Sequence, residues 1–230
     1  MKRFAILSLI LSVTVFFLHP PDNSFAWNDE THISIAKAAG YRKWFNATGA
    51  DMAKLKTETE KNNHYVNNPL DTVVTPEMVL AQVDGYNRIE KKGHLYGAII
   101  AAFRDYVRDK KLGKYGAYHM GFCAHYVGDL SQPLHNIVYD EFNKKYHVSI
   151  DGIINDEVLD NPSEIKNYPI TIRSEADMAR EIARIANLAI ALANRLEEEN
   201  RMITKKEAYG QISHSASLFR AILAYAKTLE

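Results

Sequence analysis

The sequence predicts an all-α protein. Apolar residues recur at three- and four-residue spacing along every long apolar stretch. Helix start and stop residues bracket those stretches, and no run alternates apolar with polar well enough to make a strand. The expected architecture is one compact multi-helix domain of about seven or eight helices.

The chain begins with a candidate leader. Lys2 and Arg3 precede an uncharged apolar run from Phe4 to Leu18, shorter than the about 20 residues of a membrane span. Pro20 and Pro21 break it, and Ser24 and Ala26 place small residues at the −3 and −1 positions of a cleavage site. Residues 1–26 are therefore expected to be a signal peptide, with the protein secreted or periplasmic after cleavage. Residues 27–230 are expected to form the domain, long enough to bury a core without staples.

Asp29 or Thr31 is placed to cap a first helix that carries Ile33, Ile35, Ala36 and Ala39. A turn over 46–49 leads to a short helix with Asp51 as a candidate cap, ending at His64-Tyr65 before the loop signal Asn67-Asn68-Pro69. Pro76 opens a helix carrying Val79, Leu80, Val83, Tyr86 and Ile89. Gly93 ends it, and another runs from about His94 to Lys110. The stretch from Tyr115 to Asp129 is apolar on most faces and is expected to be the central helix. Pro133 breaks it; helix resumes at His135 and continues from His147 to Val158. Ser174 caps a long helix with Met178, Ile182, Ile185, Leu188, Ala189, Leu192 and Leu196 on one face, and Thr204 caps the last.

Composition excludes some chemistry. Removing Lys2, Arg3 and Asp22 from 28 basic and 28 acidic residues leaves 26 and 27, so no broad basic field holds a nucleic acid by phosphate charge alone. The single cysteine, Cys123, permits no intrachain disulfide and reads as a small buried hydrophobe. Rigidity then has to come from a helical core or a metal.

The chemistry is concentrated between His125 and Asp151. His125 and Asp129 are four apart, His135 follows six later, and His147 and Asp151 are again four apart. Residues i and i+4 share a helix face. A lone His/Asp pair is ordinarily a surface hydrogen bond, but two pairs around a QPLH phrase point to metal ligation at more than one ion. Burying His125 and Asp129 on the most apolar helix is costly unless something binds them. Asp51 and His64 lie at the two ends of one short segment and can converge. If cleavage follows Ala26, Trp27 carries a free α-amine with a pKa of about 7.7–8.0. That amine and the Trp27 carbonyl would form a chelate, with His32 five residues on to complete it. His94, His119 and His214 read as surface or satisfied core histidines, and one of Asp140, Glu141, Asp156 and Glu157 is expected to hold a ligand histidine from behind.

In these ordered residues, with the phrase HYVGDLSQPLH at the centre, the chain from Trp27 onward resembles the zinc-dependent phospholipase C family. That family shares its fold and its three-zinc site with single-strand-specific nucleases of the nuclease P-one type. The resemblance implies three Zn²⁺ ions. One takes Asp51, His64, His125 and Asp129; one takes His135, His147 and Asp151; one takes Trp27 and His32, with Asp129 as a bridge. It implies hydrolysis of a phosphodiester by metal-activated water, with Asp51 a ligand that also orients or deprotonates the water. The substrate is expected to be a phospholipid, with transient contact at a membrane surface and no obligate protein partner. The alternative is a single-stranded nucleic acid. The His147/Asp151 pair and the Trp27–His32 offset are nuclease-like. The eleven residues between His135 and His147, the Ser131 before the QP, and the absence of disulfides favour the phospholipase. An apolar rim beside the metals marks a lipid, and an exposed aromatic pair able to sandwich a base marks a nuclease. A zinc-binding helical protein without catalysis is the remaining expectation, marked by a closed metal cluster with no cleft.

Overall fold

Apolar residues crowd the stretch 117–130, and it forms the central helix. The computed structural model describes residues 27–229; the expected signal peptide, residues 1–26, lies outside them. Every regular element among the described residues is helical, in the order α1 (Asp29–Ala38), α2 (Gly49–Lys54), α3 (Glu58–Lys61), α4 (Pro76–Ala81), α5 (Leu95–Lys111), α6 (Ala117–Leu130), α7 (Glu141–Asp151), α8 (Asn155–Val158), α9 (Glu175–Glu198) and α10 (Lys205–Thr228). Short 3₁₀ turns cover Trp44–Thr48, Val83–Gly85, Pro133–Asn136 and Pro162–Glu164.

From Cys123 to Leu130 every residue of α6 is buried. Helix α5 lies along it, and α1, α2, α9, α10 and the Trp44–Thr48 turn close around it. Two glycines on one face of α6 allow the closest approaches. A Cβ on Gly121 would lie 2.6 Å from the Asn46 carbonyl oxygen, and one on Gly128 would lie 2.7 Å from His32 Cε1. They are seven residues apart, two turns, so the same side of α6 admits both the turn and α1.

The long helices follow the apolar periodicity. Met178, Ile182, Ile185, Ala189, Leu192 and Leu196 of α9 are buried, and Leu188 is partly exposed. Full burial of each large side chain contributes roughly 1.5–3 kcal/mol. The Ser174 and Thr204 hydroxyls accept from the backbone N–H three residues on, and Thr204 with Glu207 completes a capping box.

Several stretches differ from the sequence expectation. The helix opened by Pro76 stops at Ala81, a 3₁₀ turn follows over Val83–Gly85, and Ile89 is exposed. The expected helix from His135 to Val158 is a 3₁₀ turn, an extended link and then α7 and α8. Asn136 causes the first break: its side-chain amide donates to the Leu130 and Gln132 carbonyls, so the chain turns back instead of continuing. Asp140 then caps α7 by accepting from the Asn143 N–H. Helix α1 starts after Asn28, with neither Asp29 nor Thr31 as cap. Asp51 lies in the first turn of α2 with its carboxylate turned inward, also not a cap.

Candidate metal centre

Eight of the nine expected ligands, all but Trp27, fall into buried groups. Three groups of buried His and Asp side chains form: His32, His125 and Asp129; Asp51, His64 and His125; and His135, His147 and Asp151. Within each group the ligand atoms lie within 4.8 Å of one another. Helical spacing places His125 below Asp129 on α6 and His147 below Asp151 on α7. Helix α1 brings His32, α2 brings Asp51, the loop after α3 brings His64, and the Pro133–Asn136 turn brings His135.

Asp129 stands between two of the groups. Its Oδ2 is 2.9 Å from His64 Nδ1 and 3.4 Å from His125 Nε2, while its Oδ1 is 3.4 Å from His32 Nε2. The His32 and His125 rings stack with centroids 3.8 Å apart. Trp27 is fully buried, and its indole N–H faces Ser131 Oγ at 3.4 Å. The next residue, Asn28, donates its backbone N–H to the Asp151 carbonyl at 3.2 Å, so the chain enters the domain beside the third group.

The ring tautomers follow from the outward hydrogen bonds. His125 Nδ1 donates to the Ala47 carbonyl at 2.8 Å, and His135 Nδ1 donates to the His64 carbonyl at 2.6 Å. His147 Nδ1 donates to Asn143 Oδ1 at 2.6 Å, and the Asn143 amide is oriented by its own donation to the Leu134 carbonyl. A carbonyl only accepts, so all three rings carry their proton on Nδ1 and leave Nε2 bare.

The inward side is therefore made of acceptors. His135 Nε2 and His147 Nε2 face each other at 3.2 Å, two lone pairs with no proton between them. Zinc–nitrogen bonds of 2.0–2.1 Å in a tetrahedral site separate two nitrogens by roughly 3.3 Å. Asp151 Oδ1 accepts from the Gln132 amide at 2.6 Å, and its Oδ2 has no hydrogen-bond partner. The same is true of Asp129 Oδ1 and of both His32 nitrogens. Orphaned, buried carboxylate oxygens and the one bare nitrogen of each neutral imidazole are what a divalent cation satisfies, and the donor set fits zinc.

Burial sets the charges. It pushes His32 and His147 down to about 4, holds His64 and His135 well below the ordinary imidazole range, and lowers His125. It raises Asp129 to about 7 and lifts Asp151 well above the carboxylate range. Asp51 is the exception. Burial pushes it up, but His125, Lys54 and His32 outweigh that, and the carboxyl lies below its ordinary value.

Sequence reasoning missed four contributors. Lys54 places its ammonium 2.7 Å from Asp51 Oδ1 with its side chain 11% exposed. Glu60 is buried 3.4 Å from His64 Nε2. Asn143 and Gln132 hold His147 and Asp151. The carboxylate expected behind a ligand histidine is thus neither Asp140, Glu141, Asp156 nor Glu157. Asp140 acts one step back, by capping α7 at Asn143. His119 is held by Asp109, and His94 Nε2 lies 2.9 Å from Asn63 Oδ1, while His94 Nδ1 and His214 Nδ1 are buried without a hydrogen-bond partner.

No family model matches the chain, and no curated protein matches it.

Proposed function

We propose that this protein is an exported, zinc-dependent hydrolase of phosphate esters, phospholipase-C-like, with a phosphodiester lipid as substrate. The observation that carries the metal reading is the approach of two bare imidazole nitrogens, His135 Nε2 and His147 Nε2, at 3.2 Å in a buried site. The ordered resemblance from Trp27 to Asp151 supplies the count of three ions and the reaction class. Trp27 joins the His32 and Asp129 group as a ligand once cleavage frees its amine.

When bound, zinc supplies Lewis acidity to water and to phosphate oxygens. Asp51, held ionised, takes the proton of the attacking water. The Lys54 ammonium beside it holds a non-bridging phosphate oxygen. Water attacks opposite the ester oxygen, one P–O bond forms, the ester P–O bond breaks, and the departing oxygen takes up a proton from solvent water while Asp51 returns its own to solvent.

Exposed apolar residues support a lipid. Phe45, Met52 and Leu55 are each more than half exposed on the segment that carries Asp51, and Val138, Tyr139 and Val148 are exposed on either side of His147. Trp44 and Phe45 meet edge-on at 83°, without the parallel gap that grips a base. Membrane contact through this rim is transient; no helix among the described residues is long and apolar enough to cross a membrane.

Metal analysis followed by parallel assays on phosphatidylcholine and single-stranded DNA tests the reading. Bound zinc with lipid cleavage supports it. Cleavage of DNA alone assigns the nuclease, zinc without either cleavage leaves a binding protein, and absence of zinc rejects the metal centre.

A further inference from the structure

One ligand ring is turned the opposite way to its neighbours. His125, His135 and His147 present Nε2 to the cluster and donate Nδ1–H outward to neutral oxygens. His64 presents Nδ1 instead: that atom is 2.9 Å from Asp129 Oδ2, 3.2 Å from His125 Nε2 and 3.9 Å from Asp51 Oδ1. Its Nε2 points away and lies 3.4 Å from Glu60 Oε1, an ion-pair contact; that nitrogen has no hydrogen-bond partner, and Glu60 is the carboxyl group nearest to it in an ion pair.

Glu60 is held for this task from behind. The Tyr126 hydroxyl donates to Oε1, and the Asn63 amide donates to Oε2 at 3.0 Å. Asn63 is pinned in turn, since its Oδ1 accepts from the Asn87 backbone N–H at 3.2 Å and lies 2.9 Å from His94 Nε2. Glu60 lies four residues before His64, at the end of α3, and is 3% exposed. A carboxylate so deep is costly unless its oxygens are engaged. Two donors occupy part of its capacity, and the remaining direction faces the His64 ring. Tyr126 packs edge-on against the same ring, at 5.6 Å between centroids, and keeps it from swinging over.

We propose that Glu60 is the positioning residue for His64: it fixes the ring with Nδ1 toward the ion shared with Asp51 and His125, and makes that nitrogen a stronger donor than the other three. The outward partners of the other rings are the neutral Ala47 and His64 carbonyls and the Asn143 amide. A carboxylate behind a ligand histidine raises its basicity, and its loss typically costs about 10–100-fold in metal affinity. The proposal rests on the metal reading but is independent of the substrate.

The test is zinc release to a chromophoric chelator from the zinc-loaded full-length protein, alongside melting of the metal-free protein. Glu60→Gln keeps the volume and the hydrogen bond from Tyr126. It is expected to release one ion about 10–100-fold faster than wild type while the other ions keep their rates. Tyr126→Phe, which loosens Glu60 without touching it, is expected to accelerate the same ion by a smaller factor and stands in should Glu60→Gln fail to fold. Cobalt replacement adds a spectroscopic check, with the visible bands of one site shifted in Glu60→Gln. Wild-type release of every ion by both variants overturns the proposal. So does a lower metal-free melting temperature in Glu60→Gln with release rates unchanged, which marks a merely structural role. A wild-type protein that holds no zinc overturns the metal reading itself.

Discussion

The backbone carbonyl of His64 accepts the Nδ1 proton of His135 at 2.6 Å, and the Val66 N–H donates back to the His135 carbonyl at 2.8 Å. One residue therefore serves two groups of ligands. The His64 ring belongs to the group of Asp51 and His125, and its main chain orients a ring in the group of His147 and Asp151.

That division of labour makes His64→Ala selective. The substitution removes a ligand nitrogen but keeps the carbonyl. The protein is expected to lose the ion of the Asp51 group and to retain the one held by His135, His147 and Asp151. Zinc counting checks this. Val66→Pro, which removes the returning N–H, is expected to weaken the His135 group as well. Loss of every ion from His64→Ala alone would show that the groups are not separable.

Lys54→Met leaves the ligands in place and removes the ammonium beside Asp51. Hydrolysis is expected to fall by about 100-fold, within the range seen when one charge-stabilising donor is removed, with zinc content unchanged. Loss of zinc in parallel with activity would place Lys54 in site assembly.

Gly128 tolerates no side chain, because a Cβ there enters the His32 ring. Gly128→Ala is expected to cost about 1–3 kcal/mol by overpacking and to weaken the ion that takes His32. Denaturant unfolding and zinc content, measured together, check both parts.

The start of α10 sets a pH dependence away from the metals. Glu207 accepts from the Thr204 N–H at 2.8 Å and pairs with Arg201 Nη2 at 2.8 Å, and the Arg201 guanidinium holds its carboxyl down to about 2. The folded value is depressed relative to about 4.3 in the unfolded chain. Its stabilisation is therefore present above that unfolded value and is lost as pH falls toward 2. Solvent screening keeps it near the about 1 kcal/mol of an ordinary cap. The stability gap between wild type and Glu207→Gln, measured without metal, is expected to close between pH 5 and 2. A gap constant across that range refutes it.

Two pairs of the candidate set were legible because helical spacing writes them out: His125 with Asp129 and His147 with Asp151 need only an i, i+4 rule, whereas Trp27, His32, Asp51 and His64 were joined to them by resemblance. The caps at Ser174 and Thr204 were legible for the same local reason. Lys54 and Glu60 also sit at helical offsets, three after Asp51 and four before His64. Yet a lysine and a glutamate in a polar stretch look like solvated surface, and only the fold turns them inward, Lys54 beside Asp51 and Glu60 beside His64. Asn136 shows the opposite failure. Nothing local distinguishes it from a helix residue, and its amide ends the helix through carbonyls four and six residues back. Asp129 as a bridge came from resemblance, and its two oxygens do face different histidines.

Cys123 is two residues from His125, fully buried, and burial pushes its thiol far above the ordinary range. None of the three ligand groups contains sulfur. Peroxide and other thiol oxidants release zinc by attacking thiolate ligands, and here they would find none. A metal ion held by these histidines and aspartates would keep its ligands in the presence of such oxidants.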